Sequence, residues 1–228
     1  MEKLKMEQNL ILENKCIKNV IFDFNGTLID DVDVSIDALN ACITHFIGKD
    51  KIITKTEYLE HFYFPVGKFY EELGFDFKIQ SYDEVANFFV NYYIENCTNC
   101  KLFPTIVPLL KELKKRNVNV YILSASFKEL LIKQLTEYGI EKYFTYIIGM
   151  EDKYAHGKYE VAAEYFAKHP IDFDATIMLG DTTHDAEVAL ELGVIPVLFS
   201  GGHNSEKRLK KSSNYVIDSQ EKILNFIR

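Results

Sequence analysis

Short apolar runs alternate with amphipathic segments along most of the chain. Each run is rich in β-branched or large apolar residues, which is typical of parallel strands buried on both faces. The runs are 19–24, 118–125, 143–149, 175–181 and 194–200. Between and after them, apolar residues recur three and four positions apart, as one face of a helix requires. These helical segments include 105–117, 160–169 and 185–193. Alternating strands and helices predict an α/β fold with a doubly wound, Rossmann-like parallel sheet.

One long segment interrupts this alternation directly after the first strand. Residues 31–101 carry helical patterns such as VSIDALNACITHFIG and SYDEVANFFVNYYIENC, with no convincing buried strand among them. The segment is long enough for a small helical bundle of its own. We therefore predict an inserted α-helical cap domain at 31–101 and a core domain made of 19–30 and 102–228. Residues 1–18 are predicted to be an N-terminal extension.

Composition narrows the classes of partner. Apolar residues make up 47% of the chain, which is ample for a packed core. The 26 basic and 34 acidic residues give a net charge of −8, the wrong sign for binding nucleic-acid phosphates or anionic lipid. The N-terminus lacks the apolar centre of a signal peptide, and no run approaches the roughly 18 residues of a membrane span. We expect a cytoplasmic protein with neither a nucleic-acid nor a membrane partner.

The four cysteines are too few and too scattered for a disulfide framework. Cys97 and Cys100 have the spacing of half a zinc site in the stretch CTNC. Because no second pair of this kind follows, we interpret all four as ordinary thiols.

Polar side chains stand at the carboxyl ends of three predicted strands. Asp23 follows the first strand, Ser124 ends the strand at 118–125, and Asp181 ends the strand at 175–181. Ligands of open parallel sheets bind outside the carboxyl ends of the strands, so these side chains are expected to converge. The stretch GDTTHD adds Asp185 four residues after Asp181. The sequence therefore predicts a site with a nucleophilic or metal-binding carboxylate, a hydroxyl and further acids.

The order of these residues resembles that of the haloacid dehalogenase-like superfamily of phosphohydrolases. Four signatures match in sequence order: the nucleophile loop at 23–27, the hydroxyl of Ser124, the lysine Lys158, and the acidic loop GDTTHD. The stretches FPVGKFYEELGF, AHGKYE and GHNSEKRL look like the phosphoglycolate phosphatase-like branch. The resemblance extends over residues 20–209.

The resemblance implies a phosphatase that works through an aspartyl-phosphate intermediate on Asp23, with Mg²⁺ as cofactor. The implied metal ligands are Asp23, the backbone carbonyl of Asn25, Asp181 and, through water, Asp185. A phosphate monoester would repel an attacking carboxylate unless cations lie between them, and Mg²⁺ is a hard cation that prefers oxygen ligands. Lys158 would supply a second positive charge.

The same resemblance implies which residues hold the substrate, a small phosphorylated metabolite. Ser124 and the backbone amides of the Asn25 turn would hydrogen-bond the transferring oxygens, while Gly26 permits the tight turn. Cap residues 63–70 would select the leaving group. The implied substrate-binding residues are Gly26, Thr27, Ser124, Ala125, Lys158 and Lys68.

Several of these residues have simpler interpretations. Asp185 could be an exposed acid in the first turn of a helix, favoured by the helix dipole. Ser124 could be only a small residue at a strand end. Lys153 competes with Lys158 for the phosphate, although Lys158 opens a predicted helix in the family-like context GKYE.

Three histidines are further candidates. His184 lies inside the acidic loop, where it could pack against neighbours or touch the substrate. His156 and His203 are expected in exposed loops, without an argued partner.

Asn25 departs from the family pattern. In phosphatases of this superfamily the residue two after the nucleophile is usually a second Asp, which protonates the leaving oxygen and then activates water. An amide can do neither, and general acid–base catalysis is worth about 10²–10⁴-fold. Three functions stay open: a phosphatase of reduced or specialised activity, a sensor or binding partner that holds Mg²⁺ and a phosphorylated ligand, and a phosphoryl-transfer enzyme whose substrate supplies the missing group.

Overall fold

A parallel sheet of six strands organises the protein. The computed structural model describes residues 16–48, 52–97, 100–150 and 157–227. The strands in these ranges are β1 (Asn19–Phe22), β2 (Ile29–Asp30), β3 (Lys101–Leu102), β4 (Asn119–Phe127), β5 (Tyr146–Met150), β6 (Thr176–Gly180), β7 (Ile195–Phe199) and β8 (Tyr215–Ile217). Six of them form the sheet, in the order β5-β4-β1-β6-β7-β8.

Helices cover both faces of this sheet. The α-helices of the described residues are α1 (Val32–Phe46), α2 (Lys55–His61), α3 (Val66–Leu73), α4 (Tyr82–Asn96), α5 (Ile106–Lys115), α6 (Lys128–Glu137), α7 (Lys158–Lys168), α8 (Thr183–Leu192) and α9 (Glu206–Ser212). The 3₁₀ helices are Glu141–Tyr143, Phe173–Ala175 and Gln220–Phe226. None of the helices described here is long and apolar enough to cross a membrane.

The predicted α/β fold class is confirmed. The five strands expected from apolar runs all occur, with ends shifted by at most three residues, and the predicted helices correspond to α5, α7 and α8. Helix α5 buries Ile106, Leu109, Leu110 and Leu113 on one face, as their spacing requires. Strands β2, β3 and β8 are so short that the sequence pattern alone did not indicate them.

The central strand β1 explains why its sequence is continuously apolar. It pairs in parallel with β4 on one side and β6 on the other, so that Phe22 lies beside Ile122 and Leu179. All of its side chains are buried. Phe22 packs into the apolar core on one face of the sheet and Ile21 into the core on the other face. A strand covered on both faces needs apolar residues at every position.

The four helices α1 to α4 occupy the segment predicted to form a cap. They enclose a third apolar core of their own, which includes Leu39, Ile43 and Phe69. The antiparallel pair β2 and β3 brings the two ends of this segment together, with Ile29 opposite Leu102. The helical content of the segment agrees with the prediction, whereas its status as a separate cap domain bounded at 31 and 101 stays a prediction.

The predicted N-terminal extension is described only from Cys16 onward. Ile17 is buried in the core beside β1, and the Lys18 N–H donates to the Ala175 carbonyl at 2.9 Å. These residues therefore pack with the main sheet immediately before its first strand.

Candidate active site

Three acidic side chains converge at the carboxyl edge of the sheet. Asp23 follows β1, Asp181 follows β6, and Asp185 lies in the first turn of α8. All three are buried, and one carboxylate oxygen of each lies within 4.8 Å of the others. The structure thus brings together the three acids that the sequence nominated as nucleophile and metal ligands.

Local hydrogen bonds hold these acids in place. The Asp23 N–H donates to the Leu179 carbonyl at 2.8 Å, which continues the strand pairing one residue beyond β1. Asp185 Oδ2 accepts from the Thr182 N–H at 2.9 Å and from Thr182 Oγ1 at 2.7 Å, as part of a capping box at the start of α8. Asp185 is only 3% exposed, so the interpretation as an exposed first-turn acid does not hold.

Lys158 is the cation of this cluster. It begins α7 and is 4% exposed, with its Nζ 2.5 Å from Asp23 Oδ1 and 2.6 Å from Asp185 Oδ1. Burial by itself would lower the pKa of Lys158, but Asp185 and Asp23 override it and raise that pKa. Lys158 is therefore charged where it contacts the predicted nucleophile. The competing Lys153 lies outside the described residues.

The acids carry more negative charge than one lysine neutralises. Burial raises the pKa of Asp23 to about 6, with Lys158 opposing and Asp185 adding to the rise. Burial, together with Asp23 and Asp185, likewise raises the pKa of Asp181 to about 8, although the charge of His203 opposes the rise. Burial acts on Asp185 as well, yet Lys158 holds its pKa below the ordinary value. Three clustered carboxylates with this surplus charge fit a hard divalent cation such as Mg²⁺.

Asp181 is oriented by neighbours from two distant parts of the chain. Its Oδ1 accepts from Thr27 Oγ1 at 2.7 Å, and its Oδ2 accepts from the His203 N–H at 2.6 Å. A Cβ at Gly202 would overlap the Asp181 side chain, so only glycine fits there. The Thr27 hydroxyl, expected from the family resemblance to bind phosphate, is thus used in the structure to hold Asp181.

Both ends of the Asn25 amide are engaged by neighbours. Its Nδ2 donates to Asp31 Oδ2 at 2.7 Å and to Tyr93 Oη at 2.8 Å, while its Oδ1 accepts from Ser126 Oγ at 3.2 Å. Tyr93 Oη in turn donates to Asp31 Oδ2 at 2.7 Å. An amide donor suits this place because its neighbour is a buried carboxylate.

Asp31 pairs with His203 behind the nucleophile loop. Asp31 Oδ1 lies 3.2 Å from His203 Nε2 and accepts from the Gly26 N–H at 2.7 Å. Burial alone would lower the pKa of His203, but Asp31 raises it to about 9. Burial would also raise the pKa of Asp31, yet His203 brings it below its ordinary value. The two form a buried ion pair at neutral pH.

The sequence misjudged both members of this pair. His203 was expected in an exposed loop, whereas it is 6% exposed and hydrogen-bonds Tyr58 Oη through Nδ1 at 3.0 Å. Asp31 was taken only as the start of the cap, although it is 1% exposed and receives hydrogen bonds from several groups. The stretch LIDD holds two adjacent acids, and nothing in it distinguishes exposed Asp30 from buried Asp31.

The remaining candidates divide into two groups. Ser124 and Ala125 lie on the same cavity as Asp23, and Ser124 Oγ accepts from the Ser126 N–H at 3.1 Å. Ser124 therefore lines the site, and its role toward a substrate stays a prediction. Lys68 is exposed and lies outside the cavity lining, so the structure does not bring it to the site.

The turn at Gly26 depends on glycine. Its φ of 68° lies in the left-handed region, and a Cβ there would overlap Asp181 and His203. Its N–H is already used by Asp31. His184 lines the cavity and stacks on Phe64, with ring centroids 4.8 Å apart, so both of its expected roles are compatible with its position. His156 lies outside the described residues.

A cavity of about 350 Å³ lies between the sheet edge and the inserted helices. Its floor includes Asp23, Asn25, Ser124, Lys158 and Asp185, and aromatic residues form much of the opposite wall. The site can therefore hold a charged group against the floor and a larger apolar group against the wall.

Comparisons with known proteins find a shared fold and related sequences. A haloacid dehalogenase-like hydrolase from Streptococcus pneumoniae superposes with a TM-score of 0.78 at 22% identity, over 92% of this chain and 98% of that one. A phosphoglycolate phosphatase of Synechococcus elongatus is 25% identical over 192 residues, 83% of this chain and 87% of the relative. The tyrosine-protein kinase PtkA of Mycobacterium tuberculosis is 25% identical over 201 residues, 87% of this chain and 67% of the relative.

The family itself follows from a match that spans most of the core and the inserted helices. The sequence profile of the family described as haloacid dehalogenase-like hydrolase matches residues 20–198. This range contains Asp23, Ser124, Lys158, Asp181 and Asp185, the residues that meet at the carboxyl edge of the sheet. The chain belongs to the haloacid dehalogenase-like hydrolase family.

Proposed function

We propose that this protein is a Mg²⁺-dependent phosphatase that acts on small phosphorylated metabolites through an aspartyl-phosphate on Asp23. The observation that carries the proposal is the buried cluster of Asp23, Asp181 and Asp185 with Lys158 in contact with the first and third. Asp23, Asp181, Asp185 and the backbone carbonyl of Asn25 would hold Mg²⁺, which when bound would offset the charge of the phosphate.

The first step is an attack of an Asp23 carboxylate oxygen on phosphorus. A bond forms between this oxygen and phosphorus, the ester P–O bond breaks, and the leaving oxygen takes the electron pair. Lys158 Nζ lies 2.5 Å from Asp23 Oδ1, so its positive charge is next to the oxygens of the transferring group. Ser124 offers a hydroxyl from the neighbouring strand β4. Water then cleaves the aspartyl-phosphate and releases inorganic phosphate.

Asn25 limits which substrates turn over quickly. Its amide cannot protonate a leaving oxygen, and its Nδ2 is already donated to Asp31 and Tyr93. Asp31 itself is held as a carboxylate by His203 and Tyr93, so it is not a ready proton donor. Leaving groups that depart without a proton should therefore react faster than alkoxides.

The names of relatives support phosphoryl chemistry in general. They include a phosphoglycolate phosphatase and a tyrosine-protein kinase, which differ in whether the phosphoryl group goes to water or to another acceptor. Release of inorganic phosphate indicates hydrolysis, whereas formation of a phosphorylated acceptor indicates transfer.

The decisive experiment measures phosphate release from acetyl phosphate, a small substrate whose leaving group needs no proton. We expect release that requires Mg²⁺ and stops in Asp23→Ala and Lys158→Ala, with both variants still folded by circular dichroism. Mg²⁺-independent release, or full activity in either variant, would move the chemistry away from this site.

Binding without turnover is the second candidate function, and Asn25 is the observation that favours it. Calorimetry with Mg²⁺ and phosphate distinguishes the two. Tight binding together with no release from acetyl phosphate would assign a sensor or binding role instead of a phosphatase.

A further inference from the structure

The wall of the cavity opposite Asp23 is apolar. It contains Phe62 and Phe64 from the α2–α3 connection, Phe69 from α3, Phe89 and Val90 from α4, and Leu130 from α6. Phe62, Phe64 and Phe89 are only partly buried, so they keep surface free for a ligand. A phosphorylated molecule with its phosphate at Asp23 would direct its leaving group toward these side chains.

Three aromatic rings of this wall form one cluster, while Phe89 stacks on Tyr93 in α4. Phe62 meets Phe64 edge to face at 5.4 Å between centroids, and it meets Phe69 in the same way at 5.5 Å. Phe64 is also stacked on His184, with ring centroids 4.8 Å apart. Such contacts restrict the rings before a ligand binds, so little rotamer entropy is lost when another ring joins them.

The cationic side chains of the wall and floor already have acidic neighbours. Among the described residues that line the cavity, Lys158 contacts Asp23 and Asp185, His203 contacts Asp31, and His184 Nδ1 lies 3.3 Å from Glu187 Oε2. A carboxylate or second phosphate on the leaving group would have no free cation to pair with on this part of the chain. Burying such a charge without a partner is costly.

We propose that this cavity selects aryl phosphate monoesters, with the aromatic leaving group held by Phe62, Phe64 and Phe89. The inference rests on the proposed function and specifies its substrate class. It separates this chain from relatives named for phosphoglycolate, whose leaving group carries a carboxylate.

Asn25 supports the same substrate class on separate chemical grounds. A phenol has a pKa of about 10, as in tyrosine, so its anion leaves far more easily than an alkoxide does. An aryl phosphate thus does not depend on the proton that Asn25 cannot supply. The aromatic wall and the missing acid favour the same kind of leaving group.

Binding of phosphonates tests the subsite without requiring turnover. Calorimetry in Mg²⁺ would compare phenylphosphonate, methylphosphonate and phosphonoacetate, which share the phosphonate group and differ in the rest. We expect phenylphosphonate to bind at least about tenfold more tightly than methylphosphonate, as burial of one ring allows. Phosphonoacetate should bind no more tightly than methylphosphonate.

Matched variants identify the wall. Phe89→Ala and Phe64→Ala should each reduce the preference for phenylphosphonate by about fivefold or more, with little effect on methylphosphonate. Phe88→Ala is the control, because Phe88 adjoins Phe89 in α4 but stacks on His45 and does not line the cavity. Melting curves confirm that each variant is folded, and either wall variant suffices if the other is unstable.

The binding experiment tests the aryl subsite, and the hydrolysis experiment tests the proposed function. Equal affinity for phenylphosphonate and methylphosphonate, tighter binding of phosphonoacetate, or a preference that survives both wall variants would overturn the aryl subsite. A phenyl preference lost in the wall variants supports it. Failure to release phosphate from acetyl phosphate bears on the proposed function alone, because that substrate has no aromatic leaving group.

Discussion

Replacing Asn25 by Asp tests the arrangement behind the nucleophile most directly. In the structure, Asn25 Nδ2 donates to Asp31 Oδ2 at 2.7 Å and to Tyr93 Oη at 2.8 Å. The change Asn25→Asp would replace this donor by an oxygen facing a buried carboxylate. Two carboxyl groups at this separation cannot both be ionised at low cost, so one of them retains a proton.

The expected loss of stability depends on pH. If the folded-state pKa of the new carboxyl rises about two units above its unfolded value of about 3.9, the cost at pH 7 is about 3 kcal/mol, at 1.36 kcal/mol per unit. A raised pKa means that the protonated form is favoured in the folded state. The variant should therefore be close to wild type below about pH 4, and the difference should grow between about pH 4 and pH 6 and then stay constant.

Urea denaturation in EDTA at several pH values measures this loss without interference from metal binding. Wild type is the reference at each pH, which removes the titration of every other group. The double variant Asn25→Asp with Asp31→Asn again pairs an amide with a carboxylate, with the carboxylate now at position 25 and the amide at position 31. It should recover part of the lost stability, although His203 then loses its partner at 3.2 Å.

A pH-independent difference, or no loss at pH 8, would refute the amide–carboxylate contact as the reason for Asn25. The kinetic counterpart is faster hydrolysis of alkyl phosphates in Asn25→Asp, since a carboxyl at this position can protonate an alkoxide. Asn25-Gly26 is a sequence prone to deamidation, so mass spectrometry must verify Asn25 in each wild-type preparation.

Two further predictions concern the metal site and its packing. Mg²⁺ affinity should rise from pH 6 to pH 8 with release of protons, because the raised pKa values of Asp23 and Asp181, about 6 and about 8, leave protons on the metal-free cluster. Because both pKa values are raised in the folded state, the metal-free protein should also lose stability as pH rises through them. Calorimetry in buffers of different ionisation enthalpy counts the protons released on Mg²⁺ binding. Zero release would contradict the protonation of the cluster. Gly202→Ala should cost about 2 kcal/mol and weaken Mg²⁺ binding, because its Cβ would overlap Asp181. Gly67→Ala in α3 is the control, since its Cβ would come no closer than 3.5 Å to the Tyr82 side chain. Urea denaturation measures both variants, and equal losses of stability would contradict the reasoning.

The sequence by itself determined the sheet and the acids at its edge. A central parallel strand must be apolar at every position, so β1, β6 and β7 are visible as short apolar runs. Parallel strands deliver their last residues to one edge, which is why Asp23 and Asp181 could be expected to meet. The position of Lys158 at the start of a helix was equally local information, because GKYE precedes an amphipathic pattern.

Only the tertiary structure decided what surrounds these acids. Asp31 meets His203 across 172 positions of sequence and Tyr93 across 62, and no local pattern marks any of the three. The aromatic wall likewise combines side chains from α4 and the α2–α3 connection, each of which is also typical of an ordinary helical core. Periodicity and strand ends depend on neighbours along the chain, whereas the partner of a buried charge and the chemistry of a cavity depend on which distant elements pack together.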